Sequence, residues 1–199
     1  MSKHRCGRAA GVIISMASLC TSSASMADDR FASAYKDLVD NVGNITLPAD
    51  FRAEWTFLGT WSVAEKTVGS ADAGKRGAAG LHNVYTQPGV AQFYQKNGAF
   101  PDGAIVIKEL LKGKTAPMTT GTVSHGTEVE GWFVMVKDTQ QRFRENPLWG
   151  DGWGWVLFGP DRVAQTTSYK TECLTCHVPA KDTDWIYIDG YPMLHPLDK

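Results

Sequence analysis

Near the end of a 199-residue chain stands Cys173-Leu-Thr-Cys176-His177, and no other feature narrows the fold as far. Two thiols about one helical turn apart, followed at once by a histidine, form the C-x-x-C-H attachment signal for c-type haem. The thiols add to the vinyl groups of the ring, and the adjacent histidine lies beneath the iron as an axial ligand. The rest of the chain must then provide an apolar slot for a large flat group. Two other chemistries use such cysteine pairs. A redox C-x-x-C opens a helix after a strand in a βαβ unit, and no such pattern precedes Cys173. A zinc site needs a fourth donor beside Cys173, Cys176 and His177, and none stands at finger-like spacing.

The N-terminus supplies the compartment. "MSKHRCGR" is basic, "AAGVIISMASL" is apolar but short for a membrane span, and "SSASMA" ends in small residues at Ser25 and Ala27. This is the pattern of a secretory signal peptide over residues 1–27, directing the chain to the periplasm. Residues 28–199 then form one domain. Cleavage removes Cys6 and Cys20, so Cys173 and Cys176 remain alone. A disulfide across so short a loop would stabilise little, and haem attachment accounts for the pair better. Lys and Arg total 20 against 21 Asp and Glu. No basic block suggests a nucleic acid partner.

Helical spacing is expected over "RFASAYKDLVDNV", with Phe31, Tyr35, Leu38 and Val42 on one stripe. "PGVAQFYQKNG" and "TQQRFREN" read as short helices, the first ending at Gly98. Five strands are expected: "EWTFLGTWSV", "LHNVYTQ", "AIVIKELL", "EVEGWFVMVKD" and "GWGWVLFG". Trp55, Phe57 and Trp61 would share a face. "AEKTVGSADAGKRGAAG" and "LKGKTAPMTTGTVSHGT" read as long loops. The expected fold is mainly β (α+β): an antiparallel five-stranded sheet with short helices packed around one covalently bound haem c. In "AIVIKELL", alternation sends Ile105 and Ile107 to one face and Val106, Lys108 and Leu110 to the other. Lys108 thus sits in an apolar row, where lysine is uncommon without a partner. Its stem could pack on the sheet while its head reaches solvent, or it could be held inside for a chemical reason.

The second axial position stays open at this level. The mature histidines beyond His177 are His82, His125 and His195, and the methionines are Met118, Met135 and Met193. Met193 in "GYPMLHP", or His195, could be a sixth ligand. Otherwise the iron is five-coordinate and open to a small molecule.

"FRAEWTFLGTW", "FPDGAIVIKELL", "GWFVMVKDTQQRF" and "ECLTCHVPAKDTDWIY" together resemble the cytochrome P-460 family, whose relative cytochrome c′-beta shares its fold. The resemblance runs from about Leu47 to Leu194. It implies a homodimer with one c-type haem per chain, His177 as the metal ligand, and an open iron face for hydroxylamine or nitric oxide. It also implies that Lys108 corresponds to the lysine that cytochromes P-460 bond to a meso carbon of the porphyrin. Burial would give that amine the neutral form it needs as a nucleophile. The sequence departs from the family at His82, which aligns with a distal arginine and could move a proton, donate a hydrogen bond or bind the iron. Glu172 and Glu145 are candidates for a distal carboxylate. Phe57, Phe100, Phe133, Trp153 and Trp155 are candidates for a pocket wall. The resemblance favours hydroxylamine oxidation, with electrons leaving to an acceptor such as a soluble cytochrome c. A nitric oxide binding protein with Lys108 unlinked, or a six-coordinate electron carrier, are the alternatives.

Overall fold

The computed structural model describes Phe31 and residues 35–65 and 77–195. The expected signal peptide lies outside this range, as do residues 66–76 of the Gly-rich segment. The ends of that segment are strand: Ala64 closes β1 (Thr56–Ala64) and Ala78 opens β2 (Ala78–Thr86).

Six strands form one antiparallel sheet, in the order β1-β2-β3-β4-β6-β5. The remaining strands are β3 (Ile105–Met118), β4 (Gly121–Lys137), β5 (Trp149–Gly150) and β6 (Trp153–Phe158). The five expected strands are all present, and the sixth is the two-residue β5, which pairs with β6 through Trp149 and Gly154. The expected loop after Leu111 is instead a hairpin that lengthens β3 and β4 to a turn at Thr119-Thr120, with Thr115 paired to Ser124 and Ala116 to Val123. Threonine and valine favour such pairing. The proline in the run, Pro117, lies past the last β2–β3 pair, Gly80 with Lys112, so it interrupts no ladder on that side.

Two other expectations fail for local reasons. "TQQRFREN" is a series of turns rather than a helix. Asp102 accepts hydrogen bonds from the Thr139 amide, the Thr139 hydroxyl and Arg142. Asp138 takes the Arg142 amide and guanidinium. These side chains satisfy the backbone as a helix otherwise would. At the N-terminus residues 35–38 are helical, but Val42 is 60% exposed in a turn closed by Asp40, which accepts from the amides of Val42 and Asn44.

The sheet separates two cores. Ile105, Ile107, Val134 and Val136 face one side, under Tyr35 and α1 (Phe51–Glu54). On this side Glu109, only 2% exposed, is paired with Arg52 and accepts from Trp132 Nε1. Val84, Val106, Met135, Trp153 and Trp155 face the other side, under α2 (Val90–Asn97) and the C-terminal segment. Gly98 caps α2 in the left-handed conformation (φ 69°).

β1 carries a bulge. Phe57 pairs with Tyr85, Gly59 with Val84 and Trp61 with His82, with an irregularity between Phe57 and Gly59. The extra residue reverses the alternation. Phe57, expected on the same face as Trp61, lies against Tyr85 on the opposite one, half-exposed.

Candidate functional site

The second face of the sheet is a floor. Trp61 stands beside His82, Val84 beside Lys108, Lys108 beside Phe133, and Val106 beside Met135. Met135 in turn stands beside Trp155. The roof comes from α3 (Tyr169–Glu172), α4 (Leu174–His177), the 3₁₀ turn Val178–Thr183 and the chain beyond it. Tyr169 stacks on Trp155 at 6.1 Å and anchors α3 to the floor. Between floor and roof lies a cavity of about 440 Å³, within the size class of ligand and cofactor sites. Lys108 and His82 line it from below, and Cys173, Cys176 and His177 from above.

His177 is oriented from outside the cavity. Its Nδ1 lies 2.7 Å from the Trp185 carbonyl oxygen, which only accepts, so Nδ1 carries the proton. The Nε2 lone pair is left for another partner. Burial holds the imidazole pKa below its ordinary value, against the Trp185 hydrogen bond, and the charge of Lys108 adds to the lowering. The Trp155 ring meets the imidazole edge-on at 4.9 Å. Tyr187 donates to the Cys176 carbonyl at 2.6 Å and braces the same turn.

The two cysteines are free thiols, Cys173 buried and Cys176 exposed. Burial pushes the Cys173 thiol up to about 11. Such a thiol is a poor redox nucleophile. Among the described residues no three His, Cys, Asp and Glu side chains converge as a metal site.

Lys108 is half-buried, and its Nζ rests 4.4 Å from the centroid of the Phe133 ring. Among the described residues it has no carboxylate within ion-pair distance. Burial lowers its pKa, opposed by the two cysteines. His82 is lowered too, first by burial and then by Lys108, with Glu130 pulling the other way.

The model of the family described as Cytochrome P460 matches residues 48–188. The chain belongs to the cytochrome P460 family. No curated protein gives a significant match. Membership in the cytochrome P460 family implies a haem cofactor, and the cavity can be tested against one. Its walls are largely apolar, it carries two uncrosslinked thiols one turn apart, and it offers an imidazole with a free Nε2. Trp61, in the same wall, has a buried Nε1 with no hydrogen-bond partner among the described residues. These residues fit a haem c.

The other candidates lie elsewhere or are otherwise engaged. Met193 and His195 do not line the cavity; Met193 is exposed, and His195 Nε2 lies 3.1 Å from the Ile188 carbonyl. Met118 is exposed on the hairpin, and among these methionines only Met135 lines the cavity. Glu172 borders the cavity, but its Oε1 accepts from Thr167 N, Thr167 Oγ1 and Ser168 N, which lowers its pKa. Glu145 is exposed and does not line the cavity. The carboxylate whose field reaches His82 is Glu130. Of the aromatic candidates, Phe133 and Trp155 form the wall, while Phe100 and Trp153 pack on each other at 5.4 Å within the core. Sequence reasoning missed Trp61, Tyr187, Tyr191 and the Trp185 carbonyl. For Trp61 the bulge hid the signal; for Trp185 the functional atom is a backbone oxygen.

Proposed function

We propose that this chain is a periplasmic, homodimeric haem c enzyme that oxidises hydroxylamine to nitrous oxide or other nitrogen oxides. Its electrons pass to an external acceptor such as a soluble cytochrome c. One observation carries the reading: Lys108, an amine with no carboxylate partner among the described residues, shares an apolar cavity with Cys173, Cys176 and His177.

Haem bound there supplies an open iron position for the substrate nitrogen and a route for its electrons. Cys173 and Cys176 would hold the ring through thioethers, and His177 would bind the iron through Nε2, its tautomer fixed by the Trp185 carbonyl. Lys108 would supply a nucleophile to that group, since burial lowers its pKa and favours the neutral amine. A bond from its Nζ to a ring carbon, in place of an N–H and a C–H, would release two protons and two electrons to an external oxidant. Burial lowers the pKa of His82 and favours its neutral form, so it can take a proton from the substrate. Phe133 and Trp155 keep the cavity apolar, which favours small uncharged molecules.

The contact of Lys108 with Phe133 favours a second reading. An ammonium resting on that ring would be held by a cation–π interaction and remain unlinked. The site would then bind nitric oxide without turnover, as implied by the likeness to cytochrome c′-beta. Hydroxylamine oxidation by the holoprotein with an artificial acceptor separates the two. Turnover in the parent and its loss in Lys108→Ala, with nitric oxide binding retained, is the expected result. Equal rates and identical absorption spectra in the two proteins would rule out the lysine's part.

A further inference from the structure

We infer that Asp184, clamped by Lys137, is the positioning residue that aims the axial histidine, because it fixes the backbone carbonyl to which His177 is hydrogen-bonded. The inference rests on reading His177 as the iron's ligand.

Asp184 and Trp185 are consecutive residues in the left-handed region, with φ of 57° and 69°. Asp tolerates that region; a bulky aromatic rarely does, and such a backbone persists only where the surroundings over-determine it. Here they do. Asp184 Oδ1 accepts from Lys137 Nζ at 2.5 Å and from Trp153 Nε1 at 3.3 Å, and Oδ2 accepts from the Phe100 amide at 2.9 Å. The donors come from the end of β4, the start of β6 and the turn before β3. One carboxylate therefore ties the roof of the cavity to its floor. The side chains of the pair are only 10% and 12% exposed, and Lys137 Nζ also lies 4.8 Å from the centroid of the Trp153 ring.

The local backbone completes the clamp. The Trp185 amide donates to the Ala180 carbonyl at 2.8 Å, and Thr183 Oγ1 lies 2.7 Å from the Ile186 carbonyl. What remains for the Trp185 carbonyl is one direction, toward His177. The ion pair is net neutral, so it acts through placement rather than by adding charge to the acceptor. Lys137 belongs to the same class as Lys108: a lysine on the inward row of a strand, following Phe133 and Met135. Its carboxylate partner is what distinguishes it.

The test reads the iron–histidine bond of the ferrous holoprotein by resonance Raman, together with the haem midpoint potential. A histidine whose Nδ1–H is hydrogen-bonded is a more basic ligand. Asp184→Gly keeps the freedom to adopt positive φ but removes the clamp. It is expected to move the iron–histidine band to lower frequency and the potential upward. Asp184→Asn should shift both by less, Lys137→Met should follow Asp184→Gly, and Lys137→Arg should keep both close to their wild-type values. Glu109→Gln removes a buried carboxylate from the opposite face of the sheet and should leave the band in place. A wild-type band and potential in Asp184→Gly would overturn the inference. If that variant does not accumulate, an unshifted band in both Asp184→Asn and Lys137→Met would do so. An equal shift in Glu109→Gln would also overturn it, by making the effect one of general stability. Absence of any iron–histidine band in the wild-type holoprotein would overturn the ligand reading together with the clamp; a wild-type band that the variants leave unmoved would overturn the clamp alone.

Discussion

His82 and Lys108 face one cavity from adjacent strands, and the charge of Lys108 makes it harder for His82 to carry a proton. An unfolded histidine titrates near about 6.5. In the fold, burial and then Lys108 set His82 below that value. The neutral form is thus present at and above neutral pH, and the proton returns only as pH falls through the depressed value. The same sign governs stability: the contribution is complete above about 6.5 and is lost as pH falls through the folded value. If His82 takes the substrate's proton, kcat/KM for hydroxylamine should rise with pH along an acid limb centred below about 6.5. His82→Gln should cost on the order of 10²-fold and remove that limb. An unchanged pH profile in the variant would exclude His82 from the proton path.

At the scale of elements, β1 is where pattern and structure part. The bulge between Phe57 and Gly59 turns Trp61 toward the cavity. Gly59 has φ 156°, and a Cβ there would lie 2.3 Å from the Gly190 carbonyl oxygen. Gly190 in turn packs so closely on Trp61 that its own Cβ would lie 2.5 Å from the indole. Gly59→Ala is therefore expected to cost about 1–3 kcal/mol in thermal or denaturant unfolding. It should also change Trp61 fluorescence, since β1 and the Tyr191 turn must separate. An unaltered melting temperature would show that the close approach is not needed. "AIVIKELL" was legible because each of its faces meets its own apolar core, so period-two alternation carries the full signal. The hairpin beyond Leu111 was not, because "KGKTAPMTTGTVSH" is polar on both faces and lacks that contrast. "TQQRFREN" misled because Asp102 and Asp138 satisfy its amides from outside the segment. The C-x-x-C-H motif needed no fold to be read. The Trp185 carbonyl and its Asp184–Lys137 support needed all of it, since their donors come from three separate segments.

For the whole molecule, the sheet gives two faces with different tasks. One buries Ile105, Ile107, Val134 and Val136 beneath α1 and is filled by the protein's own side chains. The other leaves a cavity of about 440 Å³, which the chain does not fill itself. The haem c proposed for this space would be part of the fold as much as of the chemistry. It would also join distant parts of the chain, since Lys108 rises from the middle of the sheet while Cys173 and Cys176 come from the segment that closes over it. Protease digestion of the purified holoprotein, followed by mass analysis of every haem-bearing peptide, tests this most directly. One haem carrying two peptides is expected, one containing Cys173–His177 and the other containing Lys108, reduced to the first alone in Lys108→Ala. Haem attached only to the cysteine peptide in the parent protein would contradict it.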